Sequence, residues 1–295
     1  MLEFLKQLMV FTKFRLSFLV VLSALSGYYF VGGNEVGTLL KLIFGGFLIT
    51  AASNGANQII EKQHDAKMSR TENRPLVLKT MQLSTAYVIC ALGLLGGSIL
   101  LYLINLNSFL LGLIAFLSYV FVYTPSKRTT PWSVFIGAIP GAIPPMLGAI
   151  AATNHFGFIS GLLFFIQFTW QFPHFWSIAW VAHDDYQRAG YFLLPSKSGK
   201  SKNTAFFILL YCIFLIPISL IPWLIGATGN ASLIIVGICG VWFYFLAYRL
   251  YITCETSDAK KLMFVSFVYL PVVQFTYVFN RVDHIIKQCI DHGLF

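Results

Sequence analysis

Long apolar runs separated by short polar connections make up almost the whole chain. Nine runs of about 20 mostly apolar residues recur, each long enough as a helix to cross a hydrocarbon core of roughly 30 Å. They cover about 13–32, 36–58, 83–104, 107–124, 131–153, 157–181, 204–225, 231–251 and 262–280, the fourth being the shortest. The connections leave no room for a soluble domain. The predicted fold is therefore all-α: a polytopic bundle of about nine transmembrane helices forming one domain over residues 1–295. The fifth run holds Gly137, Pro140, Gly141, Pro144, Pro145 and Gly148. These breakers predict kinks and close helix approach, with room for a bulky planar ligand or simply for packing.

Composition agrees and excludes a soluble globular protein: 57% hydrophobic, 11% charged, 17% aromatic with 29 Phe, mean hydropathy +0.75. The net charge of +9 changes the picture only through its placement. Starting with the N-terminus in the cytoplasm, 17 of the 20 Lys and Arg residues fall on the cytoplasmic side. Lys41, Arg281 and Lys287 are the rest. By the positive-inside rule the N-terminus is cytoplasmic and the C-terminus periplasmic, and nucleic-acid binding is not needed to explain the basicity. The first apolar run follows a 12-residue basic start without a small-residue cleavage site or a long transit segment, which points to a bacterial inner membrane. The five cysteines, Cys90, Cys212, Cys239, Cys254 and Cys289, have no C-x-x-C spacing and read as apolar packing residues.

The polar residues that matter cluster in two cytoplasmic loops, about 57–80 and 182–203. Asn57, Glu61 and Asp65 stand at i, i+4 and i+8, so a continuing helix aligns them on one face. An amide and two carboxylates suit a hard divalent cation, and magnesium is usually shared between one or two carboxylates and substrate phosphates. Lys67, Arg70, Arg74, Lys127 and Arg128 supply positive charge for a diphosphate. The second loop offers Asp184 and Asp185, which can face the first across a shared cavity. A diphosphate leaving an allylic carbon leaves a carbocation, which aromatic faces and exclusion of water protect. Phe168, Trp170, Phe172, Phe175 and Trp176 are the candidate faces.

His174 lies inside the sixth run, beside Pro173, where a titratable group marks function by default. It can ligate iron, donate a hydrogen bond, act as a base or simply bond between helices. His64 and His183 sit at the two loop sites, whereas His155, His284 and His292 fall on the outer side.

The ladder Asn57-x3-Glu61-x3-Asp65 resembles the first aspartate-rich motif of the UbiA-type intramembrane prenyltransferases, with Glu61 where Asp is usual. Further stretches resemble the heme O synthase (protoheme IX farnesyltransferase) branch of that superfamily. They are Arg70-Thr71-x-Asn73-Arg74-Pro75, Tyr123-Thr124-Pro125-x-Lys127-Arg128-x-Thr130-Pro131, Gly141-Ala142-x-Pro144-Pro145-x-x-Gly148, His174-Phe175-Trp176, and Asp185-Tyr186-x-x-Ala189 ending in Leu194-Pro195. Thr12-Lys13-x-Arg15 also fits, with Phe14 where Pro is frequent. The resemblance implies transfer of farnesyl from farnesyl diphosphate to a vinyl group of heme B, with addition of water. It assigns Asn57, Glu61, Asp65 and Asp185 to Mg2+ and catalysis, and Arg70, Arg74, Lys127, Arg128 and Lys67 to the diphosphate. His174 and Trp176 are read from their motif as heme contacts. Membrane lipid surrounds such a protein, and a heme A synthase or terminal oxidase is a candidate partner for product handover. Asp184 and Asp185 are adjacent and position 189 is Ala, so the Asp-x3-Asp spacing of the wider superfamily is absent.

Two alternatives compete. A UbiA-type enzyme acting on an aromatic quinone precursor shares the ladder but not the His174-Phe175-Trp176 stretch. A transporter or channel predicts carboxylates at mid-membrane depth and inverted repeats, whereas almost every Asp and Glu here lies in a loop or at a run's end.

Overall fold

A computed structural model describes residues 2–196 and 198–291; the side chains of 289–291, hence of Cys289, and all of His292 lie outside what is described. Among the described residues there is no strand beyond one isolated bridge, Thr228 to Arg281. The helices are α1 (Leu2–Phe11), α2 (Phe14–Phe30), α3 (Val36–Asp65), α4 (Leu83–Tyr102), α5 (Leu106–Leu117), α6 (Thr124–Ser126), α7 (Ser133–Thr153), α8 (Phe158–Val181), α9 (His183–Arg188), α10 (Lys202–Leu224), α11 (Asn230–Thr253), α12 (Thr256–Phe279) and α13 (Asp283–Asp291). Six of them, α3, α4, α7, α10, α11 and α12, and the continuous helical stretch Leu106–Ser126 are long and apolar enough to cross a membrane, and the bent pair α1–α2 makes an eighth. The run expected at 157–181 is present as α8, which has the length. Gln167, Gln171, Pro173 and His174 interrupt its apolar run, and it packs between α7, α10 and α12.

The basic start expected before the first span is itself a helix, α1, which meets α2 at a bend of 53°. The bend passes through Lys13, a left-handed residue at φ 47°. Carbonyls freed by the break find partners on neighbouring elements: Gln58 Nε2 donates to Phe11 O at 2.7 Å, and Ser17 Oγ to Thr12 O at 2.8 Å. The bend is thus tied to the far end of α3.

At 30 residues α3 is about 45 Å long, well beyond a hydrocarbon core. Glu35 caps its start, accepting from Gly37 N and Thr38 N. The helix continues unbroken through Asn57, Glu61 and Asp65, as the i, i+4, i+8 spacing predicts. The fourth expected span is not one regular helix. After Leu117 a π-helical turn covers Ser118–Tyr123 and leads into α6. The Thr124 N–H reaches back five residues to Tyr119 O, and the next residue, Pro125, has no N–H to restore the α register.

The close approach expected of the fifth span is observed between α2 and α7. A Cβ on Gly27 would run into the Pro145 carbonyl, and one on Gly148 into the Ala24 carbonyl. Pro145 also leaves the Gly141 carbonyl without its helical donor, and Gln167 Nε2 of α8 supplies one at 2.7 Å. Ser23, Gln167 and Gln274 complete this polar cluster, with hydrogen bonds of 2.8–2.9 Å linking α2, α8 and α12.

Candidate active site

Faces of α2, α3, α7, α8 and α12, with Tyr119, Tyr123 and Lys127 on either side of α6 and the loop 66–82, line a cavity of about 810 Å³. Its charged end is built on the ladder. Asn57 Nδ2 donates to Thr124 Oγ1 at 3.0 Å, Lys127 Nζ pairs with Glu61 Oε1 at 2.8 Å, and Arg74 Nη1 pairs with Asp65 Oδ2 at 2.5 Å. The loop delivers Arg74 because it curls back at once: Thr71 Oγ1 donates to the Asp65 carbonyl at 2.8 Å. Glu61 and Asp65 are 3% and 1% exposed, so each pair is a buried one. Lys127 also lies 4.7 Å from the Tyr123 ring centroid and 5.8 Å from that of Tyr191.

Among the charged residues lining the cavity, Lys13, Arg70, Arg74 and Lys127 face two carboxylates, Glu61 and Asp65. The excess of cations suits an anionic ligand. Asp65 Oδ1 is buried without a hydrogen-bond partner among the described residues. A buried bare carboxylate oxygen is costly unless something electropositive completes it, and a hard cation does so. No group of three or more His, Cys, Asp or Glu side chains able to hold a metal is found among the described residues. The donor set therefore fits Mg2+, which needs one or two protein carboxylates and takes its remaining ligands from phosphate and water. It does not fit a metal caged wholly by protein.

Tyr119 and Tyr123 border the charged end, and Trp170, Gln171, His174 and Phe175 of α8 line the same cavity. His174 is buried, with Nδ1 2.7 Å from Ser266 Oγ of α12, and its ring is stacked on Trp170 at 4.3 Å.

Several expected residues fall elsewhere. Lys67 and Arg128 are exposed and do not line the cavity. Asp185 also lies off the cavity lining. Both of its oxygens accept from Ser69 Oγ, at 2.9 and 3.1 Å, and it pairs with Arg188. Slight burial pushes the Asp185 carboxyl up, but hydrogen bonds from Ser69 and Arg188 outweigh it and hold the group below its ordinary range. Arg70 reaches Tyr186 Oη at 3.0 Å, and His64 Nδ1 lies 2.9 Å from the Ala189 carbonyl. The second acidic segment thus ties the loop 182–195 to the loop 66–82. Trp176 packs on Tyr211 and Phe135, at ring distances of 5.2 and 6.4 Å, and Phe172 lies in the same cluster. Of the five aromatic candidates, Trp170 and Phe175 line the cavity.

Lys13, Tyr119, Tyr123 and Tyr191 line the site without having been singled out for it. Tyr119, Tyr123 and Lys127 repeat the i, i+4, i+8 spacing of the acidic ladder, a signal that was available. Nothing in the sequence announces the turn that brings Lys13 in.

Comparison with known proteins places this geometry. The family model for the UbiA prenyltransferase family matches residues 19–268. A protein from Cytophaga hutchinsonii named protoheme IX farnesyltransferase is 44% identical over 274 residues, covering 92% of this chain and 96% of the relative. One of the same name from Christiangramia forsetii is 43% identical, covering 92% and 91%. Among solved structures, one described under digeranylgeranylglyceryl phosphate synthase in membranes superposes with a TM-score of 0.79 at 19% identity, covering 97% of this chain and 99% of that one. A UbiA homologue from Archaeoglobus fulgidus bound to GPP and Mg2+ gives 0.68 at 14% identity, covering 92% and 99%. At such identities the structures speak for the fold alone. The family match and the relatives agree with the helical bundle, and the chain belongs to the UbiA prenyltransferase family, alongside its protoheme IX farnesyltransferases.

Proposed function

We propose that this protein is an intramembrane farnesyltransferase that converts heme B to heme O. The observation that carries the reading is the join between two halves of one cavity. A cation-rich end with a bare carboxylate oxygen opens into an aromatic chamber with a histidine in its wall. Relatives at 42–44% identity that are named protoheme IX farnesyltransferase supply the acceptor.

In this reading Arg70, Arg74, Lys127 and Lys13 bind the diphosphate, while Asn57, Glu61 and Asp65 hold Mg2+. The ion neutralises phosphate charge and so improves the leaving group. The farnesyl chain lies in the apolar part of the cavity. Its allylic C–O bond breaks with the electron pair leaving on the diphosphate. The faces of Tyr123, Trp170 and Phe175 stabilise the cation while water is kept out. The π electrons of a heme vinyl group form the new C–C bond. Once the C–C bond has formed, water adds to the resulting cation beside the porphyrin and passes its proton to a second water, leaving the hydroxyl of heme O. Asp185 acts by holding the two cytoplasmic loops together, and Lys67, Arg128 and Trp176 act outside the cavity.

The protein is a multi-pass membrane protein with the UbiA fold. We count the bent pair and α8 as crossings, nine in all, and read the N-terminus and both loops as cytoplasmic in a bacterial inner membrane and the C-terminus as periplasmic; the distribution of Lys and Arg supports this reading. A heme A synthase or terminal oxidase is the fitting recipient of the product. Incubating the purified protein with heme B, farnesyl diphosphate and Mg2+, then analysing products by chromatography and mass spectrometry, tests the assignment. A hydroxyethylfarnesyl heme that disappears on chelation is expected; its absence with active controls overturns the reading.

A further inference from the structure

His174 sits in the cavity wall in an environment that fixes more than its position. Its ring is stacked on Trp170 at 4.3 Å and meets Phe267 edge-on at 4.9 Å. Nδ1 lies 2.7 Å from Ser266 Oγ, and Ser266 is fully buried. That hydroxyl has one proton, and it lies 2.6 Å from the Met263 carbonyl, an acceptor that cannot donate in return. We assign the serine proton to Met263 O, so that Ser266 Oγ accepts from a hydrogen on His174 Nδ1. The tautomer leaves Nε2 as a lone pair with no hydrogen-bond partner among the described residues, on a side chain that lines the cavity. Trp170 Nε1 donates to the carbonyl of the same Ser266 at 3.1 Å, so α12 clamps both rings of the stack.

A neutral imidazole with a free Nε2, its other nitrogen donating to a fixed oxygen, is the arrangement that suits a metal ligand, because the second contact sets tautomer and ring plane. A base for the hydration step would need a charged or hydrated surrounding to receive the proton. Here the ring neighbours are Trp170, Phe175 and Phe267. We propose that His174 Nε2 is an axial ligand of the substrate heme iron and that Ser266 is the positioning residue that holds it in the binding tautomer. The inference rests on heme being the acceptor.

The test is a titration of the full-length protein in detergent with ferric heme B, without farnesyl diphosphate, followed by absorption and resonance Raman spectra of the oxidised and dithionite-reduced complexes. The unaltered protein is expected to give a histidine-ligated spectrum with an iron–histidine stretching band. His174→Gln removes the band, and added imidazole restores a nitrogen-ligated spectrum. Ser266→Ala keeps the band but lowers its frequency, because the Nδ1 hydrogen bond no longer enriches the ring in electron density, and weakens heme binding by roughly ten- to a hundred-fold. A His174→Gln protein with the unaltered band overturns the ligation, as does an unaltered protein that binds heme without a histidine signature; the acceptor assignment survives both. A protein that binds no heme at all overturns the acceptor assignment with it. Ser266→Ala spectra identical to those of the unaltered protein remove the positioning role. Should His174→Gln fail to fold, the mild Ser266→Ala change still decides, since only a ligand bonded to Ser266 would shift.

Discussion

Glu61 and Asp65 end α3 inside the bundle, whereas Asp184 and Asp185 begin α9 outside it, although both segments were candidates for the same metal. The two loops are in contact through Ser69 and Asp185. Burial separates them: the Glu61 and Asp65 side chains are 4% and 1% exposed, those of Asp185 and Asp184 15% and 81%. So does the accounting of oxygens. Asp65 keeps one buried oxygen unbonded, while both oxygens of Asp185 are taken by Ser69 and one also by Arg188. In the proposed reading it is desolvation, which makes an unpaired oxygen expensive, that suits Asp65 to a cation, and proximity to a cavity is not enough. Asp185, half-buried and bonded through both oxygens, links the two loops instead.

Four experiments bear on this contrast. Asp65→Asn keeps shape and burial but removes the charge, and turnover should fall by roughly 10²–10³-fold while the protein still inserts. Near-normal activity would refute a metal role for the buried ladder. Next in size, Lys127→Met strands the Glu61 carboxylate and should cost about 3–5 kcal/mol of stability by detergent or denaturant melting. The double change with Glu61→Gln should recover most of that stability without restoring turnover; if stability stays low, the pair is not the reason. Asp185→Asn should reduce activity less than about ten-fold, in keeping with its place off the cavity lining and its pairing with a mostly exposed Arg188. A loss as large as that of Asp65→Asn would make Asp185 a metal ligand and abolish the distinction. The smallest effect concerns pH. A carboxyl held below its ordinary range stabilises the folded form above the unfolded group's pKa and loses that contribution as pH falls through the folded one. The Ser69–Asp185–Arg188 latch should persist at neutral pH and open only in acid, seen as faster amide exchange in residues 66–72 and 182–190. Acid-induced exchange unchanged by Asp185→Asn would break that link.

The residues of α8 show what was readable and what was misread. Gln167, Trp170, Gln171, His174 and Ile178 form one stripe at helical spacing, and all five line the cavity. Trp176 stands two residues from His174, a rotation of about 200° at 100° per residue, so the two face opposite sides. Adjacency in a motif suggested a shared role; helix geometry alone argues otherwise. Lys13 was not readable in that way. It enters the site because a left-handed residue turns α1 away from α2, and that turn is held by Gln58, which lies far along the chain.

The sequence by itself determined that the chain is a helical membrane bundle, that Asn57, Glu61 and Asp65 share a helix face, and that basic residues accompany them. These follow from local periodicity, apolar run length and charge sorting, which need no knowledge of distant contacts. Tertiary structure decided which acid keeps a bare oxygen, which cations reach the cavity and which nitrogen of His174 is left free. Each of these depends on desolvation and on single hydrogen bonds between residues as far apart as His174 and Ser266, and such pairings exist only once the helices are packed.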